Sequence, residues 1–275
     1  MKPFCGFLIT FFLLLVASKK VNSSAESKTI SFRFDSFAQG NPAINLQGDA
    51  KILADGYIQL TDLQSSGSAG RALYNTPVRL WNEATGNVAS FVTSFSFELT
   101  DYPNYNPADG IIFFIAPENT KIPSDGVGGS LGVASSTGEG QFVGVEFDTY
   151  VNKEYNDPPY QHVGIDVNSV VSSKTVEWKR VSGSDVKVTV IYDSPSKILS
   201  VVVTNKKGDI TTIADVVDLK DKLPEKVKVG FSSASSSGGR QLHLIRSWSF
   251  TSTIKTGSAS ITNNVTNIKY VSDII

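Results

Sequence analysis

Between Thr29 and Thr253 the chain is written in short runs of alternating apolar and polar residues, broken every few positions by Gly, Pro, Asn or Asp. A period of two is the mark of half-buried strands, because successive strand side chains point to opposite faces. Thr29 to Phe34, Arg71 to Leu80, Ala89 to Leu99 and Gly110 to Ala116 carry it in the first half. Thr175 to Trp178, Val186 to Tyr192, Ile198 to Thr204, Ile210 to Ile213, Val227 to Phe231 and Leu242 to Thr253 carry it in the second. Ala50 to Leu53 and Tyr57 to Leu60 flank Asp55-Gly56, a hairpin signal. Helical periodicity is confined to Asp215 to Leu223, which stops at Pro224. Many short strands without interleaved helices imply an all-β antiparallel sandwich in one domain.

The ends differ from this body. Lys2 followed by an apolar run from Phe4 to Val16 and small residues at Ser23, Ser24 and Ala25 is expected to be a signal peptide, residues 1–24. The run is too short for a bilayer, which takes roughly 20 apolar residues, so no membrane insertion is expected. Cys5 lies in that segment, leaving the mature chain without cysteine. Core size, and bound metal, must then do what disulfides do in many secreted domains. Residues 25–253 form the expected domain, and 254–275, rich in Ser, Thr and Asn, a flexible or trimmed tail with a glycosylation pattern at Asn264-Val265-Thr266. With 25 Lys and Arg against 26 Asp and Glu, no basic surplus exists for nucleic acid.

The chemistry is concentrated between Val143 and Val167. Glu146 and Asp148 share one face of a strand, a polar loop carries Asn152, Glu154, Asn156 and Asp157, and His162 opens the next strand. Three interpretations fit these residue types. Glu146, Asp148, Asp157 and His162 suit a transition ion such as Mn²⁺, while Asp148, Asp157, Asn152 and a backbone carbonyl such as that of Tyr150 suit Ca²⁺. Alternatively, Glu146 and Asp148 are the two carboxylates of a retaining glycoside hydrolase, although Val151 stands where a third acid would be expected. Finally, they are polar strand residues facing solvent.

Elsewhere, a chain with only two histidines gives little support to a serine hydrolase. His243, between Leu242 and Leu244, is expected on a sheet surface. Gly138 to Gly144 mimics a dinucleotide loop but leads into a strand instead of a helix. Ala108-Asp109-Gly110, the glycine-rich Val127 to Gly132 and the serine-rich Ser232 to Gly239 are turns whose meaning depends on their neighbours.

Phe147-Asp148-Thr149-Tyr150, His162-Val163-Gly164-Ile165-Asp166-Val167-Asn168-Ser169 and Ser247-Trp248-Ser249-Phe250 resemble the signatures of the legume lectin family. Gly40 to Asn45, Pro107 to Glu118 and Arg246 to Thr253 follow one member nearly residue for residue, and the likeness spans about residues 25–253. The resemblance implies a jelly-roll sandwich and a non-enzymatic plant lectin needing Ca²⁺ and Mn²⁺ beneath a shallow sugar site. It places Glu146, Asp148, Asp157 and His162 on Mn²⁺, and Asp148, Asn152, Asp157 and the Tyr150 carbonyl on Ca²⁺. It assigns Asp109, after a cis Ala108-Asp109 peptide, to the sugar hydroxyls, with Gly129 and Asn152 as donors, Tyr150 as the aromatic platform and Ser236 and Gly238 on the galactose-contacting loop. The implied partners are glycans with terminal galactose; a mannose/glucose lectin of the same family, or a storage protein with degenerate binding, are the alternatives. A homodimer or homotetramer, in the secretory pathway and then outside the cell or in vacuolar protein bodies, completes the expectation.

Overall fold

The structure is a computed structural model that describes residues 26–257 except 66 and 237. Its strands are β1 (Ser27–Phe34), β2 (Ile44–Gly48), β3 (Lys51–Ile52), β4 (Ile58–Gln59), β5 (Ser68–Tyr74), β6 (Val78–Arg79), β7 (Ser90–Asp101), β8 (Gly110–Pro117), β9 (Glu139–Asp148), β10 (His162–Ser169), β11 (Lys174–Glu177), β12 (Asp185–Asp193), β13 (Ile198–Thr204), β14 (Ile210–Val216), β15 (Lys226–Ser235) and β16 (Gln241–Lys255). One sheet runs β14-β13-β12-β7-β16-β4-β3, with β1 also on β16. The other runs β11-β10-β9-β8-β15-β5-β2, with β6 also on β15. Pairing between the strands is antiparallel, so the expected all-β sandwich is what forms.

The core between the sheets follows from the alternation. Phe95 and Phe97 on β7 face inward with Trp248 and Phe250 on β16, against Phe113, Phe147 and Phe231 of the other sheet. Rings meet edge-to-face, Phe231 to Trp248 and Phe95 to Phe231 both at 4.9 Å, the arrangement that aromatic quadrupoles favour. Strand β8 is buried on both faces, which is why Ile111 to Ile115 is continuously apolar. Ile111, Phe113 and Ile115 enter the main core. Ile112, Phe114 and Ala116 enter a second cluster with Leu131, Val133 and Ala134, under the loop that follows β8. That loop is therefore packed down on the sheet that carries the acidic residues.

Three expectations are corrected. Arg71 to Leu80 is two strands, because Pro77 has no N–H for the ladder and Asn75 turns aside to bond Ala43. Helix α1 covers only Leu219–Lys222, with Asp215 and Val216 taken by β14. The last strand continues past Thr253 to Lys255, where Ile254 is buried and Thr256 bonds Glu26. The signal peptide and Asn264 lie outside the described residues.

His243 is the largest departure. It is buried, not on a sheet surface, with Nδ1 at 2.7 Å from the Thr61 hydroxyl. The register of β16 against β7 shifts between Ile245 and Ser247, so the inward set changes from His243 and Ile245 to Trp248 and Phe250. Burial, then the Arg180 charge, pushes the His243 pKa down to about 3. The unfolded chain binds this proton below roughly pH 6.5 and the folded one does not, so His243 subtracts stability as pH falls. Urea unfolding of the wild type should lose about 2 kcal/mol between pH 7 and pH 5 relative to His243→Gln. Equal losses in both proteins would show that the imidazole is protonated in the fold.

Candidate functional site

Registers bring the acidic residues together. Central in its sheet, β9 has Asp148 opposite His162 on β10 and Gly110 on β8, and Glu146 opposite Gly164. A side chain on Gly164 would run into Glu146 Oε1 at 2.5 Å, so that glycine is the space the carboxylate occupies. Glu146, Asp148 and His162 are buried and can each offer one ligand atom within 4.8 Å of the others. His162 Nε2 lies 3.1 Å from Glu146 Oε1, which also accepts from the Ser172 hydroxyl at 2.6 Å. Asp148 Oδ1 accepts the Tyr150 N–H at 2.7 Å, and Asp157 accepts the Asn152 N–H.

Electrostatics sets the demand on this cluster. Burial first, then Glu146 and Asp157, holds the Asp148 carboxyl well above its ordinary range. Burial raises Asp157 to about 6 against the pull of the Asn152 N–H. For His162 burial opposes charge, yet the Glu146 bond and the charges of Glu146 and Asp157 outweigh it and raise the pKa. Acids crowded in apolar surroundings without a cation take up protons. The donor set itself fits a divalent ion: carboxylate oxygens, one imidazole, and the buried Asn152 Oδ1, which has no hydrogen-bond partner.

The sugar-assigned residues converge beside this cluster. The Ala108-Asp109 peptide is cis, as the resemblance implies. Asp109 is held on three sides: its N–H donates to Ala234 at 3.2 Å, its carbonyl accepts Thr149 N–H at 3.0 Å, and Oδ2 accepts Ser236 N–H at 2.9 Å. It is buried, and burial raises its carboxyl to about 6 despite the Ser236 bonds. Gly129 lies in a 3-10 turn, Gly128–Ser130, and a side chain there would strike Asn152 Oδ1 at 2.5 Å. Asn152 Nδ2 donates to Glu154 at 3.1 Å. Tyr150 is 38% exposed, and Gly238 is exposed with open space around it. Asp109, Gly129, Asn152 and Ser236, from four separate stretches, thus form one constellation with Tyr150 at its rim.

Several supporting residues lack a signal in the sequence. Tyr155 joins the loops, its hydroxyl 3.1 Å from both Ser130 Oγ and Ser136 O. Ser172 bridges Glu146 and the fully buried Asp166, each at 2.6 Å. Arg71, also buried, donates from Nε to Gly132 O at 2.8 Å and from Nη1 to Thr120 Oγ1 at 3.0 Å, with its guanidinium over Phe114. Each role rests on long-range closure that spacing does not reveal.

Residues 29–266 match the legume lectin domain. The chain is a legume lectin. The galactose-binding lectin of Arachis hypogaea is 68% identical over 266 residues, 96% of both chains. A bark agglutinin of Robinia pseudoacacia is 50% identical over 96% of this lectin and 95% of its own length. A solved structure of peanut lectin with a nine-residue peptide superposes with a TM-score of 0.83 at 68% identity, covering 84% of this chain and 100% of that one. The family consists of carbohydrate-binding proteins and not enzymes. The glycosidase alternative fails on the same ground, and in the structure Glu146 and Asp148 are enclosed, with Glu146 engaged by His162 and Ser172.

A divalent ion at the Glu146-Asp148-His162 group would favour the deprotonated forms of Asp148 and of Asp157 beside it, and a free His162 Nε2, so protons compete with it. Because these folded-state pKa values are raised, the cation-free lectin loses stability as pH rises through about 6, and binding a cation reverses that loss. The melting temperature should rise strongly on adding divalent cation at pH 7.5 and much less at pH 5. An equal rise at both would place the cation elsewhere.

Proposed function

We propose that this lectin binds terminal galactose on glycans, with Ca²⁺ and Mn²⁺ as its resident ions. Glu146, Asp148, Asp157 and His162 would hold Mn²⁺, and Asp148, Asn152, Asp157 and the Tyr150 carbonyl would hold Ca²⁺. The ions supply positive charge that lets the buried carboxylates remain ionised. Support comes from the buried Glu146-Asp148-His162 group and from Asn152 Oδ1, a buried acceptor without a partner.

The observation that carries the sugar reading is the constraint on Asp109. Its carboxylate is fixed by Ser236 N–H, its backbone by Thr149 and Ala234, and the Gly129 turn and Asn152 abut next to it. A carboxylate accepting from sugar hydroxyls makes charge-assisted bonds, worth about twice neutral ones. Asn152 Nδ2 and the Gly129 backbone add donors, and the exposed Tyr150 ring takes the apolar face of the sugar. Galactose is favoured over mannose or glucose by the 68% identity to a galactose-binding lectin.

Residues 1–24 would direct the protein into the secretory pathway, towards the cell exterior or vacuolar protein bodies. A site this near the surface binds one sugar weakly, and assembly into a dimer or tetramer would raise avidity on clustered glycans. Val92, Ile191 and Val202, exposed on the outer face of the β7-β12-β13 sheet among hydroxyl side chains, offer a surface for a second copy.

Calorimetric titration of cation-loaded protein with methyl galactoside and methyl mannoside tests the assignment. Galactoside should bind the more tightly, and Asp109→Asn should weaken it by about 10- to 100-fold while leaving the cation-dependent melting temperature unchanged. Undiminished binding by Asp109→Asn, or preference for the mannoside, would overturn it.

A further inference from the structure

We propose that Arg180 and His243 bind one small monovalent inorganic anion, of the chloride class, inside the end of the sandwich next to Asp101. The Arg180 side chain is 5% exposed, and its Nη2 donates to Asp101 Oδ1 at 2.7 Å. Its Nε and Nη1 are buried without an acceptor among the described residues. His243 is fully buried, with Nδ1 at 2.7 Å from the Thr61 hydroxyl and Nε2 unpaired. Trp178 Nε1, two residues before Arg180, is a further buried N–H without a partner. A guanidinium that keeps N–H groups away from water is destabilising unless an acceptor reaches them.

Strand registers bring these groups to one end of the core. On β7, Phe97, Leu99 and Asp101 share a face, and the first two are core residues. Trp178 packs on Phe97 with centroids 6.0 Å apart, His243 lies opposite Leu99, and Asp101 takes Arg180. Gln241 and His243 share a face of β16, both buried. Gln241 Nε2 donates at 2.8 Å to the same Asp101 oxygen that Arg180 uses. Burial first, and then the charge of Arg180, lowers the proton affinity of His243, so the two side chains lie within electrostatic reach.

The donors select the ligand. Arg180 offers Nε–H and Nη1–H, and a Thr61 hydroxyl that donates to His243 Nδ1 leaves the imidazole proton on Nε2. Water would bring two protons that need acceptors of their own. The unpaired buried side-chain oxygens belong to Gln47, Asn152, Asp166, Asn168 and Asp185, none on the strand faces that carry Leu99 and His243. An anion accepts from every donor and brings no proton. Burial favours a single charge, because a dianion gives up more hydration. Arg180 supplies the positive charge, since Asp101, with 33% of its side chain exposed, is screened by solvent. The bonds that Asp101 accepts from Arg180 and Gln241 orient the guanidinium in advance, so little ordering is needed on binding.

The full protein, loaded with divalent cation, is melted in sodium gluconate at pH 7.5, where the imidazole is neutral, with chloride, bromide or sulfate exchanged in at constant ionic strength. Chloride and bromide should raise the melting temperature saturably, with a dissociation constant on the order of 1–10 mM, and sulfate should not. Halide affinity should fall at least about tenfold in Arg180→Gln and in His243→Phe. Anomalous diffraction from wild-type crystals in bromide should place an ion within hydrogen-bonding reach of Arg180 Nε and His243 Nε2. Bromide found only on the surface, or water alone at that position, overturns the proposal whether or not the variants fold. A halide-dependent rise of equal size and midpoint in Arg180→Gln overturns it as well.

Discussion

Anionic oxygens from Glu146, Asp148 and Asp157 are gathered around one imidazole on the face of the β8-β9-β10 sheet that lies beneath the loops, and that crowding shapes everything above it. Removing carboxylates from water is costly unless opposite charge or hydrogen bonds compensate. The protein supplies part of the compensation through His162, Ser172 and the N–H groups of Tyr150 and Asn152. It leaves the remainder as raised proton affinity, which is the state a divalent ion exchanges against. Burial beneath the loops that pack on this face of the sheet, where Ile112 lies opposite Glu146, is what denies these acids their water.

From this cluster the loops proposed to hold the sugar are reached in single steps. Asp148 is followed by Thr149, which bonds the Asp109 carbonyl; Asp109 bonds Ser236; Asn152 abuts Gly129. Arg71 and Tyr155 hold the intervening glycine-rich loop down against the sheet. The proposed recognition groups are thus anchored to the same residues that carry the uncompensated charge. Such coupling explains how loops, which are the least rigid parts of a sandwich, can present hydrogen-bonding groups at fixed positions.

Much of this was legible in the sequence, for physical reasons. Period-two alternation placed Glu146 and Asp148 on one face and Phe147 on the other, and the structure keeps that division. The Asp55-Gly56 turn pairs β3 with β4 as its composition implies, Gly56 taking a φ of 82°. Legibility ended where alternation is interrupted by closure elsewhere. One register shift in β16 sends His243 inward although Leu242 and Leu244 flank it, and Pro77 cuts one expected strand in two. The Glu146-Asp148-His162 group, by contrast, is compact in sequence and was visible as a donor pattern before any fold was known, though the pattern alone also admitted a catalytic or a solvent-facing reading.

Hydrogen exchange with and without divalent cation addresses the coupling most directly. It should follow the amides of Thr149 and Asn152 in the acidic loop together with those of Leu131 and Ser236 in the sugar loops. Adding cation to chelated protein at neutral pH should slow exchange in both groups together, because the loops are anchored on the acids that the cation neutralises. Protection confined to Thr149 and Asn152, with Leu131 and Ser236 unchanged, would contradict the claim that the buried carboxylates organise the sugar site.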